Sequence, residues 1–98
     1  MIRFLEAAQQ ELDEAVAFHE GQVIGLGQAF LAEILAALEL IRRYPAAWQP
    51  LSANTRRCRL RRFPYGLIYH EDGPKNILVV AVAHLHRRPE YWRDRLKG

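Results

Sequence analysis

Hydrophobic residues recur at helical spacing in two stretches of the first half of the chain. The first helix is predicted over residues 6–22, which are rich in alanine, glutamate and glutamine. Its inward face comprises Ala8, Leu12, Ala15 and His19, with Val16 beside them. The acidic residues lie mostly away from that face: Glu11, Asp13, Glu14 and Glu20.

The second helix is predicted over residues 26–44, after a break bracketed by Gly21 and Gly25. It ends before Pro45, because the residue preceding a proline disfavours helical geometry. Its apolar stripe comprises Phe30, Ile34, Leu38 and Ile41, widened by Leu31 and Leu35. Two helices joined by so short a break form an antiparallel hairpin that packs on another element, here a sheet.

The second half of the chain has the patterns of strands. Residues 57–61 alternate, so that Cys58 and Leu60 point one way while Arg57, Arg59 and Arg61 point the other. Residues 65–70 form the next strand after a turn at Pro64, and residues 77–83 are continuously apolar, as a central strand is. Residues 46–55 are predicted to be a loop.

Two short segments complete the predicted architecture. Residues 2–5 predict an edge strand, and residues 90–96 predict a tail with a helical turn. The fold class is therefore α+β, in one domain spanning residues 1–98. A short N-terminal strand and a helical hairpin pack with a mainly antiparallel sheet of about four strands, followed by the C-terminal tail.

Composition restricts the compartment and the kind of partner. No apolar run in the 98 residues approaches the roughly 20 needed to span a membrane, and the N-terminus lacks the apolar core of a signal peptide. The single cysteine, Cys58, cannot form an intramolecular disulfide. We therefore expect a cytoplasmic protein without a membrane partner.

Charge is distributed unevenly along the chain. Residues 1–50 carry three arginines against seven acids, a net −4, and residues 51–98 carry eleven basic residues against four acids, a net +7, which sum to +3. A basic second half suggests a binding face for nucleic acid or for an acidic protein segment. The alternative is a sheet face that is only solvated.

Arginines and aromatic residues supply the candidate binding site. Arginine forks on one strand face, at Arg57, Arg59 and Arg61, suit phosphates and carboxylates, and Arg87 and Arg88 are expected nearby. Tyr91 and Trp92 either stack on a base or a partner, or form a hydrophobic lid over the sheet.

Histidines and the cysteine are weaker candidates. His84 and His86 lie on one side of a strand and, with His70, have the ligand type of a metal site, but no carboxylate or thiol completes it. Hydrogen bonding or proton transfer at the sheet end suits them better. Cys58 faces inward and is interpreted as a small hydrophobe. No nucleotide-binding motif or catalytic triad spacing occurs, so no cofactor is expected.

Two motifs resemble a known family. Residues 61–69 read Arg-Arg-Phe-Pro-Tyr-Gly-Leu-Ile-Tyr, and residues 81–92 read Ala-Val-Ala-His-Leu-His-Arg-Arg-Pro-Glu-Tyr-Trp. With the order of the elements, they resemble the RelE/ParE superfamily of type II toxin–antitoxin toxins, or plasmid stabilisation proteins. The resemblance implies growth inhibition by a toxin that a cognate antitoxin neutralises, typically with a flexible, acidic, amphipathic segment that folds on the toxin.

The superfamily divides by target. The RelE branch cleaves mRNA on the ribosome, and its pattern would assign Arg57, Arg59 and Arg87 to the phosphate and Tyr91 or His86 to proton transfer. Gly66 stands where that pattern has an arginine, and a glycine cannot stabilise charge on a phosphorane. The resemblance therefore favours a ParE-like toxin that poisons DNA gyrase without being an enzyme. The alternatives are a ribosome-dependent endoribonuclease and a non-toxic basic module that binds nucleic acid.

Overall fold

The computed structural model describes residues 1–97, and Gly98, the last residue of the predicted domain, lies outside them. The chain begins with β1 (Ile2–Phe4), α1 (Glu6–Gln22) and α2 (Leu26–Arg43). It continues with β2 (Gln49–Pro50), β3 (Thr55–Arg59), β4 (Tyr65–Glu71), β5 (Ile77–His84) and a 3-10 helix (Arg93–Leu96). Neither α-helix is long and apolar enough to cross a membrane.

The strands form one sheet in the order β1-β5-β4-β3-β2. β1 runs parallel to β5, and the other neighbours are antiparallel. The predicted α+β architecture is confirmed, with five strands rather than about four.

Two predicted boundaries in the sheet were wrong. The segment predicted as a loop over residues 46–55 contains β2, whose Gln49 and Pro50 pair with Arg57 and Arg56. Pro50 is tolerated because β2 is an edge strand, where a missing N–H breaks no interior ladder. The strand predicted over residues 57–61 begins at Thr55 and ends at Arg59.

The helical hairpin covers one face of the sheet. The predicted inward residues of both helices are buried: Ala8, Leu12, Ala15, His19, Phe30, Ile34, Leu38 and Ile41. Gly27 lets the helices approach closely, since a Cβ there would lie 2.7 Å from the Val16 carbonyl oxygen. The Glu20 carboxylate accepts the N–H groups of Gly25 and Gly27 at the start of α2, so the short break is held by one side chain.

The C-terminal tail covers part of the opposite face. Trp92 is 4% exposed and packs with Ile68, Val80, Ala81 and Ala83. The register between β4 and β5 shifts here, because Ile68 pairs with Ala81 and Tyr69 pairs with Val79, which leaves Val80 without an opposite residue. This bulge lies beneath the tail, at the level where the candidate site begins.

Candidate functional site

A small cleft lies between the end of β5 and the tail that folds back over the sheet. Its volume is about 140 Å³. We call it the arginine cleft, and its lining includes Arg57, Arg87, Arg88, His84, Glu90, Tyr91 and Trp92. The sequence-predicted binding residues on β3 and in the tail therefore meet in space, although some thirty positions separate them along the chain.

Arg57 reaches the cleft because the neighbouring strand has no side chain at Gly66. A Cβ on Gly66 would lie 2.9 Å from Cγ and 3.0 Å from Cδ of Arg57, so the arginine stem occupies that space. The terminal Nη2 donates to Oε1 of Gln49 at 2.9 Å, whereas Nε is buried without a hydrogen-bond partner among the described residues. Gly66 thus has a structural role that positions Arg57.

The tail is fixed by one carboxylate of α1, that of Glu11. Its Oε1 accepts the Val82 N–H at 3.0 Å and Nη1 of Arg95 at 2.8 Å. Its Oε2 accepts the Tyr91 hydroxyl at 2.7 Å and Nη2 of Arg95 at 2.9 Å. We call these three side chains, Glu11, Tyr91 and Arg95, the Glu11 anchor.

The Glu11 anchor also completes the edge of β5. β1 accompanies β5 only as far as Val79, whose carbonyl accepts the Leu5 N–H. Beyond that point Arg95 donates to the Val80 carbonyl at 3.0 Å, and Glu11 accepts the Val82 N–H. Side chains therefore make the hydrogen bonds that a longer β1 would have made.

Hydrogen bonding within the anchor shifts two ionisation equilibria. Burial alone would raise the pKa of the Glu11 carboxyl, but hydrogen bonds from Arg95, Tyr91 and the Val82 N–H hold that pKa below its ordinary value. Burial, together with the bond to the Glu11 carboxylate, raises the pKa of the Tyr91 hydroxyl. Glu11 therefore remains ionised at neutral pH, and Tyr91 is poorly suited to proton transfer.

The aromatic residues of the cleft are already covered. The guanidinium of Arg87 lies 4.0 Å from the centroid of the Tyr91 ring, and that of Arg95 lies 5.0 Å away. Trp92 is buried in the hydrophobic cluster beneath the tail, together with Ile68, Val80, Ala81 and Ala83. Of the two predicted roles for these residues, the hydrophobic lid describes Trp92 well, and a free ring for stacking on a base does not.

Other sequence-predicted residues lie outside the cleft. Arg59 is exposed and pairs across the ladder with Gly66 but does not line the cleft. Arg61 follows the end of β3, in a turn where the Glu33 carboxylate accepts the N–H groups of Arg61 and Arg62. The predicted face of Arg57, Arg59 and Arg61 is therefore interrupted, because Glu33 turns the chain toward α2.

The three histidines do not converge. β5 ends at His84, and the N–H of His86 donates to Nδ1 of His84 at 3.1 Å, with ring centroids 5.0 Å apart. His70 pairs with Leu78 at the other end of the β4–β5 ladder and contacts the Asn54 carbonyl. The predicted alignment of His84 and His86 on one strand was wrong, because the strand stops before His86.

The cysteine is enclosed by the main core. Cys58 is 2% exposed, and burial raises the pKa of its thiol to about 11. A thiol with such a pKa is almost entirely protonated at neutral pH and is a poor nucleophile. The interpretation of Cys58 as a small hydrophobe agrees with this environment.

The arginines of the cleft have no counterion within the part of the chain that the structure describes. Among residues 1–97, no ion pair is formed by Arg57, Arg59, Arg87 or Arg88, whereas Glu90 at the rim pairs with Arg93. Three guanidinium groups consequently meet in the cleft with no internal carboxylate assigned to them. This arrangement favours an anionic ligand from outside.

Comparison with known proteins identifies the family. A family profile described as "ParE toxin of type II toxin-antitoxin system, parDE" matches residues 2–89. The chain belongs to the ParE toxin family. No curated protein matches its sequence significantly.

A solved structure shares the fold of this ParE family member. It is titled "Chromosomal ParDE TA system from P. aeruginosa", is 18% identical, and aligns with a TM-score of 0.59 over 87% of this chain and 95% of that one. At this identity the similarity supports the fold. The predicted membership in the RelE/ParE superfamily, on its ParE-like branch, is confirmed.

Sequence reasoning missed two residues that organise the site. Glu11 was assigned to the outer face of the first helix, but it lies at the edge of β5 and is only partly exposed. Arg95, which was not singled out, joins it across 84 positions of sequence. The sequence offers little evidence for either role. Glu11 is a carboxylate next to the inward stripe of the first helix, and Arg95 is an arginine in an aromatic tail.

Proposed function

We propose that this chain is the toxin of a type II toxin–antitoxin module and that it inhibits growth by binding and poisoning DNA gyrase. Membership in the ParE family, from the match over residues 2–89, is the observation that carries the proposal. The chain would then inhibit its target by binding it. A gyrase inhibitor acts in the cytoplasm, where the chromosome is supercoiled.

The arrangement of the cleft is consistent with an inhibitor that is not a nuclease. Of the candidate residues for a ribonuclease mechanism, Arg59 and His86 do not line the cleft. The Tyr91 hydroxyl is hydrogen-bonded to Glu11, and Gly66 carries no charge for a developing phosphorane.

A supercoiling assay tests the gyrase proposal. Purified gyrase, relaxed plasmid and ATP are incubated with increasing toxin, and both supercoiled product and cleaved DNA are measured. We expect loss of supercoiling and accumulation of cleaved DNA. The proposal would be contradicted if the toxin arrests growth in cells but gyrase still supercoils the plasmid fully at a large molar excess of toxin.

A ribosome-dependent endoribonuclease is the second candidate function. In its favour, Arg57 and Arg87 line one cleft together with Tyr91, one of the two candidates for proton transfer. Mapping mRNA 5′ ends in a translating extract separates the two functions. New ends within codons would establish the ribonuclease, whereas intact mRNA with inhibited gyrase would exclude it. A chain that binds nucleic acid without arresting growth would support the non-toxic alternative.

We further propose that a cognate antitoxin neutralises the toxin by covering the helical hairpin. Large hydrophobic side chains are exposed along the hairpin: Phe18 on α1, Val23 and Ile24 at the break, Leu35 and Leu40 on α2, and Tyr44 just after it. An amphipathic segment could bury these side chains with its apolar face.

Calorimetric titration with the antitoxin tests this surface. Replacing both Leu35 and Leu40 by serine is expected to weaken binding by about tenfold or more, since each exposed leucine would lose apolar contact. Ala36→Ser, an exposed substitution on the same helix, is the control. Equal affinities for the double variant and the control would place the antitoxin elsewhere.

A further inference from the structure

The arginine cleft has the features of a site for one acidic side chain. Arg57, Arg87 and Arg88 bring three positive charges to its lining, and the carboxylate of Glu90 at the rim is engaged by Arg93. Guanidinium groups prefer carboxylate or phosphate partners because their planar N–H forks match both in geometry. The charge thus indicates an oxyanion, and the remaining walls indicate which one.

The remaining walls of the cleft favour a carboxylate on an aliphatic stem. Leu51, Leu85 and Pro89 line the cleft and are partly or fully exposed, so they contribute apolar surface beside the arginines. A glutamate or aspartate side chain would place methylene groups against these residues and its carboxylate among the guanidinium groups. The volume of about 140 Å³ is suited to a single side chain.

Nucleic acid fits these walls less well. Sequence-tolerant binding of single strands relies on aromatic rings that stack on bases. The Tyr91 ring carries the Arg87 guanidinium at 4.0 Å, and Trp92 is 4% exposed, so the aromatic residues of the cleft offer little surface for stacking.

Contacts within the chain hold the Arg57 side chain in place. Its stem lies over Gly66, its Nη2 donates to Gln49, and its buried Nε–H has no hydrogen-bond partner among residues 1–97. A guanidinium fixed in this way loses less side-chain entropy on binding than a free surface arginine does.

We propose that the arginine cleft is a binding site for a carboxylate and that it receives a glutamate or aspartate side chain from an acidic segment of a protein partner. The site is defined by Arg57, Arg87 and Arg88 and does not depend on which protein the toxin inhibits. Its occupant neutralises positive charge that the described chain leaves uncompensated.

Nuclear magnetic resonance of the arginine side chains tests the proposal directly. The Arg57 Nε–H is buried, so its proton is shielded from exchange with water and its signal reports on the cleft. The full chain is titrated at fixed ionic strength with three probes: a blocked tripeptide with a central glutamate between alanines, its glutamine counterpart, and dimethyl phosphate. Dimethyl phosphate carries the same single charge as the glutamate peptide and represents a nucleic-acid backbone.

The glutamate peptide is expected to shift the Arg57 signal saturably at millimolar concentrations, and the glutamine peptide is expected not to. Dimethyl phosphate should produce the same shift of the Arg57 signal only at several-fold higher concentrations. Equal responses to glutamate and glutamine, or no response to either, would overturn the proposal. Tighter binding of dimethyl phosphate would overturn it in favour of a nucleic-acid site.

Two matched variants separate a defined site from general electrostatic attraction. Arg88→Gln removes an exposed arginine of the cleft. It should lower the affinity for the glutamate peptide by about tenfold, as expected for a lost charge-assisted hydrogen bond. Arg59→Gln removes the same charge from an exposed residue of β3 outside the cleft and should leave affinity nearly unchanged. Equal losses in the two variants would refute a specific site.

Discussion

The Glu11 anchor predicts that Glu11→Gln destabilises the chain far more than an ordinary surface substitution. The carboxylate accepts four hydrogen bonds, two of them from Arg95, and its side chain is 14% exposed. A glutamine has one acceptor oxygen, so its amide nitrogen would face a donor of Arg95 in either orientation. The ion pair is lost at the same time.

The expected magnitude follows from these contacts. Hydrogen bonds to charged groups contribute about 1.5–3 kcal/mol each, and contributions within one network are not additive. We therefore expect the free energy of unfolding to fall by about 2–3 kcal/mol, against the roughly 5–15 kcal/mol typical of a domain. For a chain of this size, that corresponds to a fall in Tm of roughly 10–20 °C.

Thermal unfolding followed by circular dichroism measures this difference. Glu14→Gln is the matched control, because Glu14 is exposed and, among residues 1–97, its carboxylate accepts one side-chain hydrogen bond, from Nε2 of Gln10 at 3.5 Å. The control should stay within about 0.5 kcal/mol of the parent chain. In a Trp48→Phe background, in which Trp92 is the one remaining tryptophan of the sequence, native-state fluorescence should also shift to the red if the tail loosens.

Acid pH provides an independent check. The pKa of Glu11 is lower in the folded state than in the unfolded state, where it is about 4.3. The stabilisation is therefore fully present above the unfolded pKa and is lost as pH falls through the folded pKa. The difference in stability between the parent chain and Glu11→Gln should be constant above about pH 5 and narrow below about pH 4. A difference that persists unchanged in acid, or a variant as stable as Glu14→Gln, would refute this role for Glu11.

Three further predictions concern neighbouring side chains. Tyr91→Phe removes one hydrogen bond and should lower the unfolding free energy in urea by about 1 kcal/mol, and no loss would mean that the bond to Glu11 is not stabilising. Gly66→Ala places a Cβ against the Arg57 stem and should cost about 1–3 kcal/mol while shifting the Arg57 Nε–H resonance; an unmoved resonance would contradict the packing described. Cys58, with a pKa of about 11, should react with a disulfide reagent at neutral pH only when urea unfolds the chain, and rapid native labelling would contradict its burial.

The parts of the fold that the sequence predicted are those that repeat locally. The stripe of Phe30, Ile34 and Leu38 predicts a helix because its period is short and its residues are all apolar. The apolar run of β5 likewise predicts a central strand. β2 was missed because two residues are too few to show alternation, and because Pro50 normally argues against a strand.

The candidate site was predicted in composition but not in geometry. The arginines and aromatic residues were identified by type, and Arg57, Arg87 and Tyr91 do meet. Arg61 was assigned to the same face because alternation was continued past Arg59, where Glu33 turns the chain. The Glu11–Arg95 pair leaves no periodic signal, since contacts between distant positions are specified by tertiary packing alone.

The short length of β1 has a consequence for association between molecules. A strand whose edge lacks a neighbour can pair with an edge from another molecule, which is a common route to aggregation. Here Arg95 and Glu11 occupy the Val80 carbonyl and the Val82 N–H, so the part of the β5 edge beyond β1 is closed without another strand. Loosening the tail would expose this edge, so a less stable variant should also be less soluble. Light scattering during gentle warming should therefore rise at a lower temperature for Glu11→Gln than for Glu14→Gln. The charged side chains of Glu11 and Arg95 therefore disfavour polymerisation through this sheet edge.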